Sequence, residues 1–325
     1  MALPCARDTP RASVTGANRP AVRWGGMSEI RSAALIVNAK SRKGQKLFRR
    51  ACKRLEELPF TVDAHAVQKP KHLERTVRHA LSKKPDLVIL GGGDGTVSGL
   101  VDLLLGEDVI LGVLPLGTAN SFARTLGLPL DVDGAIEVLA TGVPKRIDLG
   151  MIDGDYFANC AAMGLSPQIA ETVPHNLKKV LGRIGYLGWA GLQYLRFRPF
   201  ILTVDDGTEE KRMRVVEVRI SNGPYHGGTW LVDEAKVDSG QIVVQAVTGR
   251  YRRTLLKNWF ANILGLAARH QDTVTFSGRE LKIDTRPSLP ISIDGEVLAH
   301  TPVRARIAPG AIRVMVPREA QQQAG

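Results

Sequence analysis

The sequence is poor in cysteine, has no long apolar run and carries too few acids to balance its bases, and each shortage excludes something. Its three cysteines, Cys5, Cys52 and Cys160, are too few and too scattered for a disulfide framework or a zinc site. Such usage suits a reducing cytoplasm. No stretch of about eighteen uncharged apolar residues occurs, so the sequence predicts no membrane-spanning helix. The N-terminal segment lacks an apolar centre, and Arg7, Asp8, Arg11, Arg19 and Arg23 within it argue against a secretory leader. Met27, followed by Ser-Glu-Ile just before the first predicted strand, is a candidate start codon, with residues 1–26 then an extension. Against 44 Lys and Arg there are 32 Asp and Glu, a formal net charge of +12. Nucleic acid, an anionic membrane surface and a polyphosphate substrate are the usual partners of such an excess. The bases are spread over most segments, so charge alone selects none of the three.

What the chain does have is enough material for two ordinary domains: 325 residues, 44% hydrophobic, with 33 Gly and 18 Pro to punctuate many elements. Residues 1–30 read as a tail. From Ala33 the rhythm is strand and helix in alternation. Ala33–Val37, Phe60–Ala66, Asp86–Leu90 and Val109–Val113 read as strands, and the segments to Leu58, Lys71–Lys83 and Val97–Leu105 as helices. Near-continuous apolar strands in such a repeat predict a parallel sheet covered on both faces. After about Lys145 the pattern turns to short alternating strands: Met213–Ile220, Ile242–Val247, Thr273–Phe276, Glu280–Asp284, Ile291–Ile293, Val303–Ile307 and Ile312–Val316. The expected architecture is an α/β domain with a parallel sheet over 31–145. A β-rich domain, an antiparallel sandwich or barrel, follows over 146–319, with 320–325 as a tail.

Chemistry concentrates in three loops. Gly91-Gly92-Gly93-Asp94-Gly95-Thr96 follows a buried strand and opens a helix, the place where open parallel sheets bind ligands. Glycines admit a polyphosphate to the backbone, N–H groups at a helix start attract anions, and Asp94 offers a carboxylate to a bridging Mg²⁺. A plain strand-to-helix turn is the alternative reading, since Gly and Asp are common turn residues. No Gly-Lys-Ser/Thr follows, so this is not a Walker A loop. Pro115-Leu116-Gly117-Thr118-Ala119-Asn120-Ser121-Phe122-Ala123-Arg124 follows the next strand. Thr118 and Asn120 are predicted as polar donors near a phosphate and Arg124 as a fork for an anion; alone, the segment would be an N-capped helix start. Asn38, Ser41 and Gly44, after the first strand, form a third wall or else a solvated basic turn.

These residues resemble the catalytic family of diacylglycerol kinases, which includes bacterial lipid kinases and the sphingosine and ceramide kinases. Gly91–Thr96 matches its glycine signature and Gly117–Asn120 its Gly-Thr-x-Asn signature. Ile147-Asp148-Leu149-Gly150, Asn159 with Gly164, Asn222 with Gly227-Gly228, and Asp294-Gly295-Glu296 continue the likeness from about Ala33 to Pro317. The resemblance implies ATP and Mg²⁺ as cofactors, with ATP contacted by Asn38, Ser41, Gly93, Asp94, Gly95, Thr96 and Thr118. It implies that Asp94 organises the catalytic Mg²⁺ and that Asp294 or Glu296 takes the proton of the lipid hydroxyl. Alone, Asp294-Gly295 would read as a hairpin turn. Three departures stand out. Ala39 replaces a usual Pro, Ser121 a frequent Asp, and Ser239 the Asp that ligates a structural Mg²⁺ in relatives, leaving Asp238 as a weak ligand there.

A lipid acceptor implies a cytoplasmic protein in peripheral contact with an anionic membrane. Tyr251–His270 carries Arg252, Arg253 and Lys257 among Leu255, Leu256, Trp259 and Phe260, and Leu177–Phe200 is similarly basic and aromatic. Either segment fits an interfacial helix, and either fits a helix packed on the β-rich domain. Diacylglycerol is the expected acceptor, with sphingoid or ceramide-type lipids as alternatives. NAD kinase, which shares a Gly-Gly-Asp-Gly turn, and a non-catalytic pseudokinase are the rival functions. Net charge alone supports a nucleic-acid binder, and no recognised motif does.

Overall fold

The computed structural model describes residues 30–165, 192–251, 253–254, 272–293 and 296–319. The chain divides into two units, one running to Ile147 and resuming at Ala311, the other spanning Asp148–Gly310.

The first unit is α/β. Its elements are β1 (Ser32–Asn38), α1 (Arg42–Leu55), β2 (Thr61–Val67), α2 (Leu73–Leu81), β3 (Leu87–Gly92), α3 (Asp94–Val101), β4 (Ile110–Pro115), α4 (Ser121–Thr125) and α5 (Val132–Thr141). β1 pairs in parallel with β2 and β3, and β3 with β4. Every residue of β3 and β4 is buried, as strands covered on both faces require. α1 turns Gly44, Phe48, Ala51, Cys52 and Leu55 inward at helical spacing and leaves its many bases outside. Its start is fixed by Ser41, whose hydroxyl accepts from Gly44 N–H at 3.0 Å. The predicted strands and helices of this unit are all present. α3 begins earlier than its apolar pattern indicates, because the Gly-Asp-Gly-Thr turn itself forms the first helical turn, closed by Val97 N–H on Gly93 C=O at 3.1 Å.

The second unit is antiparallel. After β5 (Val143–Ile152) come β6 (Asp155–Phe157), β7 (Cys160–Gly164), β8 (Phe200–Asp205), β9 (Glu210–Ser221), β10 (Tyr225–His226), β11 (Thr229–Trp230) and β12 (Ile242–Thr248). Then follow β13 (Thr273–Gly278), β14 (Glu280–Arg286), β15 (Pro290–Ile293), β16 (Glu296–His300) and β17 (Val303–Val316). The order β16-β15-β7-β9-β8-β14-β17 holds the centre, and β12 joins β9 to β13. Alternate residues such as Leu202, Val204, Val216, Val218, Leu281 and Ile283 build its core.

The two last predicted strands are one. Pro309-Gly310 sits inside β17 without ending it, since Gly310 supplies a positive φ of 55° and its N–H reaches the Asp148 carboxylate at 2.7 Å. The part of β17 beyond Gly310 pairs in parallel with β4, Arg313 beside Ile110. Residues from Ala311 onward, assigned by strand pattern to the second domain, therefore group by contact with the first. No described helix is long and apolar enough to cross a membrane. Of the two segments read as interfacial, 166–191, 252 and 255–271 lie outside the described residues.

Candidate active site

Three loops leave the carboxyl ends of β1, β3 and β4 and come together. A cavity of about 420 Å³ lies among them, lined by Asn38, Lys40, Ser41, Gly44, Gly92, Gly93 and Leu116. The glycines are there for room and not for backbone freedom. Gly93 has an ordinary φ of −92°, but a Cβ placed on Gly117 would stand 2.5 Å from the Cα of Gly93. The second and third loops thus touch backbone to backbone, a contact no side chain permits.

Asp94 is half-buried at the first position of α3. Its Oδ1 accepts the Phe122 N–H at 2.9 Å, which pins the start of α4 to the start of α3. Its Oδ2 makes no hydrogen bond among the described residues and stays available to a cation. No side chain caps α3, so the N–H groups of its first turn, those of Asp94 and Gly95, are open to an anion. Asn38 crosses to the same turn, its Nδ2 donating to Thr96 Oγ1 at 3.1 Å. Thr118 is exposed in the loop after β4. The structure therefore gathers Asn38, Ser41, Gly93, Asp94, Gly95 and Thr96 around the touching loops, with Thr118 next to Gly117 on the loop after β4. A free carboxylate oxygen beside open helical N–H groups can hold a metal-chelated polyphosphate, the donor set that Mg²⁺ and ATP require.

One expectation changes. Asn120 is buried with φ 49°, accepts Gly117 N–H at 2.9 Å and donates to Gly117 C=O at 3.1 Å. It shapes the loop from a left-handed position that Asn tolerates, and its amide is spent there instead of on a phosphate. Arg124 donates its Nε to Ala119 C=O at 3.0 Å, which fixes the guanidinium on this loop and leaves its two terminal nitrogens for an anion. Lys40 was not singled out by its sequence, yet it lines the cavity, exposed and without an ion pair among the described residues. The only signal was its place in the basic run after β1.

Asp294 lies outside the described residues, and Glu296 is placed only as the first residue of β16. Asp238 is exposed. Its loop is closed by protein groups: Ser239 Oγ donates to Lys236 C=O at 2.9 Å, and the buried Asp148 carboxylate accepts Gly240 N–H at 2.7 Å. The serine hydroxyl also accepts the Gln241 N–H at 3.3 Å, so it bridges the loop from within and offers no charge to a cation. No cluster of three or more His, Cys, Asp or Glu side chains suited to a metal occurs among the described residues.

Comparison with known proteins agrees with this arrangement. Residues 32–152 match the diacylglycerol kinase catalytic domain, and residues 160–316 match the YegS C-terminal NAD kinase beta sandwich-like domain. The chain belongs to the diacylglycerol kinase catalytic-domain family. A Chromohalobacter salexigens protein named as a probable lipid kinase, YegS-like, is 30% identical over 290 residues, covering 87% of this chain and 92% of its own. A Staphylococcus epidermidis diacylglycerol kinase is 28% identical over 300 residues, covering 88% and 92%. The fold matches the crystal structure of a Bacillus anthracis diacylglycerol kinase with a TM-score of 0.69 at 20% identity, over 90% of this chain and all of that one. This family member is a lipid kinase that uses ATP.

Proposed function

We propose that the kinase transfers the γ-phosphate of ATP to the hydroxyl of a membrane lipid, with diacylglycerol as acceptor and phosphatidic acid as product. The observation that carries this reading is the Asp94 carboxylate, held by one oxygen on α4 and open at the other, at the uncapped start of α3. In this reading residues 31–145 hold the nucleotide and 146–319 the lipid. The α3 N–H groups, Asn38, Ser41, Thr96 and Thr118 orient the phosphates, and the Lys40 ammonium offsets their charge. Asp94 is the ligand for Mg²⁺, which when bound neutralises charge developing on the transferred phosphoryl group. Asp294 or Glu296 accepts the proton of the lipid hydroxyl, since an alcohol attacks well only as a carboxylate removes that proton. The enzyme works in the cytoplasm against an anionic membrane surface.

The test is incubation of the full chain with radiolabelled Mg²⁺-ATP and vesicles carrying diacylglycerol, ceramide or a sphingoid base, followed by chromatography of the lipids. Labelled phosphatidic acid alone is expected. Label on a ceramide or sphingoid product would move the acceptor to that class, and in a parallel incubation with NAD, label on NAD with none on any lipid would sink the reading.

A further inference from the structure

The outer face of the second unit divides by charge into two ends. Along β8 the side chains of Leu202 and Val204 are buried in the core, so Ile201, Thr203 and Asp205 stand on the opposite face. Register places Arg286 and Arg214 on either side of Ile201, and Asp284 and Arg212 on either side of Thr203. Toward the other end the cations are matched, Lys282 with Asp205 at 2.8 Å and Arg306 with Glu280 at 2.7 Å. Arg212, Arg214 and Arg286 are exposed and form no ion pair among the described residues. A cavity of about 500 Å³ lies along this face, reaching from Lys282 and Asp205 to Arg212 and Arg286 with Asp284 between them, so three guanidiniums face one carboxylate at the arginine end.

Apolar groups project at that same end. In the segment leading into β8, Phe197 is buried in the core while Leu195 is 59% exposed and Arg198 is exposed. Gly249 N–H bonds to Arg214 C=O at 3.1 Å, which sets the turn carrying Tyr251 beside the arginine row. Tyr251 is 61% exposed, with the Arg253 guanidinium 4.9 Å from its ring centroid. Unmatched guanidiniums at the same end of the sheet as an exposed leucine and an amphipathic aromatic ring are the chemistry of a bilayer interface, where arginines meet headgroup phosphates and rings sit at headgroup depth.

We propose that this arginine end of the β9–β8–β14 face is a docking surface for an anionic lipid bilayer. The proposal rests on the lipid-kinase reading for its purpose, but it is tested without catalysis. Full-length protein is sedimented with phosphatidylcholine vesicles containing graded phosphatidylglycerol, with no nucleotide present. The triple variant Arg212→Gln, Arg214→Gln, Arg286→Gln should partition roughly 100-fold more weakly at high anionic content. High salt should weaken wild-type binding in the same sense. A control variant, Lys282→Gln with Arg306→Gln at the matched end, should bind within about twofold of wild type. Circular dichroism and melting of both variants check folding, and phosphorylation of a short-chain soluble lipid by the triple variant should persist. Wild-type binding that ignores anionic content, or a triple variant that binds as wild type does, overturns the proposal. So does tight binding to DNA or RNA fragments with none to vesicles. Loss of soluble-lipid phosphorylation in wild type would instead strike the kinase reading and leave the docking result standing.

Discussion

Asp94 uses one carboxylate oxygen on the Phe122 N–H and leaves the other open, so substitutions there can separate holding the loop from holding a cation. Asparagine keeps an oxygen for the N–H but loses the charge. Asp94→Asn should retain the wild-type melting temperature within a few degrees and lose about a thousandfold or more in turnover, read with Mg²⁺-ATP and lipid vesicles. Alanine removes the acceptor as well and should cost about 1–3 kcal/mol of stability in urea melts. Turnover by Asp94→Asn comparable to wild type would remove the central residue of the mechanism. Gly117 tests the loop contact itself. Because its added Cβ meets the Gly93 backbone at 2.5 Å, nothing flexible can give way. Gly117→Ala should lose about 1–3 kcal/mol and weaken nucleotide binding in calorimetry together. A variant that binds ATP normally would show that the two loops need not touch. Sequence reading located these residues but not their reasons. Three adjacent glycines read as an approach for phosphate, yet the spaces beside two of them are filled by the protein, a Cβ on Gly91 falling 2.7 Å from Val37 Cγ2 and one on Gly92 2.5 Å from Thr96 Cβ.

At the scale of elements, legibility followed periodicity. β1 to β4 are short apolar runs bounded by turns, and all four were readable as a parallel sheet. α5, with Val132, Ala135, Ile136, Val138 and Leu139 buried, carried the helical spacing but was passed over behind the Gly-Thr-Ala-Asn signature. β7 (Cys160–Gly164) was missed because a short strand of small residues lacks a marked alternation, whereas β8 carries alternation in Phe200, Leu202 and Val204 and was passed over all the same. The union of the last two strands was hidden by Pro309-Gly310, normally a stop signal. The loop at 236–241 was singled out for Ser239 in place of a usual Asp, but the contacts that close it were not foreseen. Since Ser239 and Asp148 satisfy that loop with protein groups, stripping divalent ions should leave its stability untouched. Melting in EDTA and in excess Mg²⁺, without nucleotide, should agree within about 1 °C, whereas a tightly held structural ion would raise the midpoint by mass action. Ser239→Ala should lower stability by about 0.5–1.5 kcal/mol, the usual worth of one hydrogen bond. A Mg²⁺-dependent rise of several degrees would show that Asp238 and the loop carbonyls hold a metal after all.

For the molecule as a whole, the excess of bases makes acid the direction of weakness. Among the described residues five carboxylates have values held below the ordinary 3.8, Asp133 chiefly by its hydrogen bond from Arg50. Asp63 is lowered chiefly by its hydrogen bond from Lys83 and Asp205 by that from Lys282. Asp206 falls to about 2 through Thr208 and the backbone N–H groups of Thr208 and Glu209. For Asp86 burial pushes upward, but the N–H groups of Arg31 and Ser32 and the Ser32 hydroxyl, all on Oδ2, outweigh it together. A carboxylate with a depressed folded value stabilises the fold above the unfolded value near 3.8 and loses that contribution as pH falls through the folded one. Protonation also adds to a net charge already at +12, so self-repulsion grows over the same interval. Urea midpoints should therefore be flat from pH 7 to about 5 and fall steeply below about 4. The two causes separate by salt: ionic strength screens the repulsion between exposed charges but cannot restore a hydrogen bond lost to protonation. With about 0.5 M salt the fall should shrink without vanishing. Asp86→Asn, which keeps an acceptor for the β1 N–H groups without a titrating charge, should flatten part of what remains. If stability is level down to pH 2, or if salt abolishes the fall completely, the lowered carboxylates contribute nothing to the fold at neutral pH.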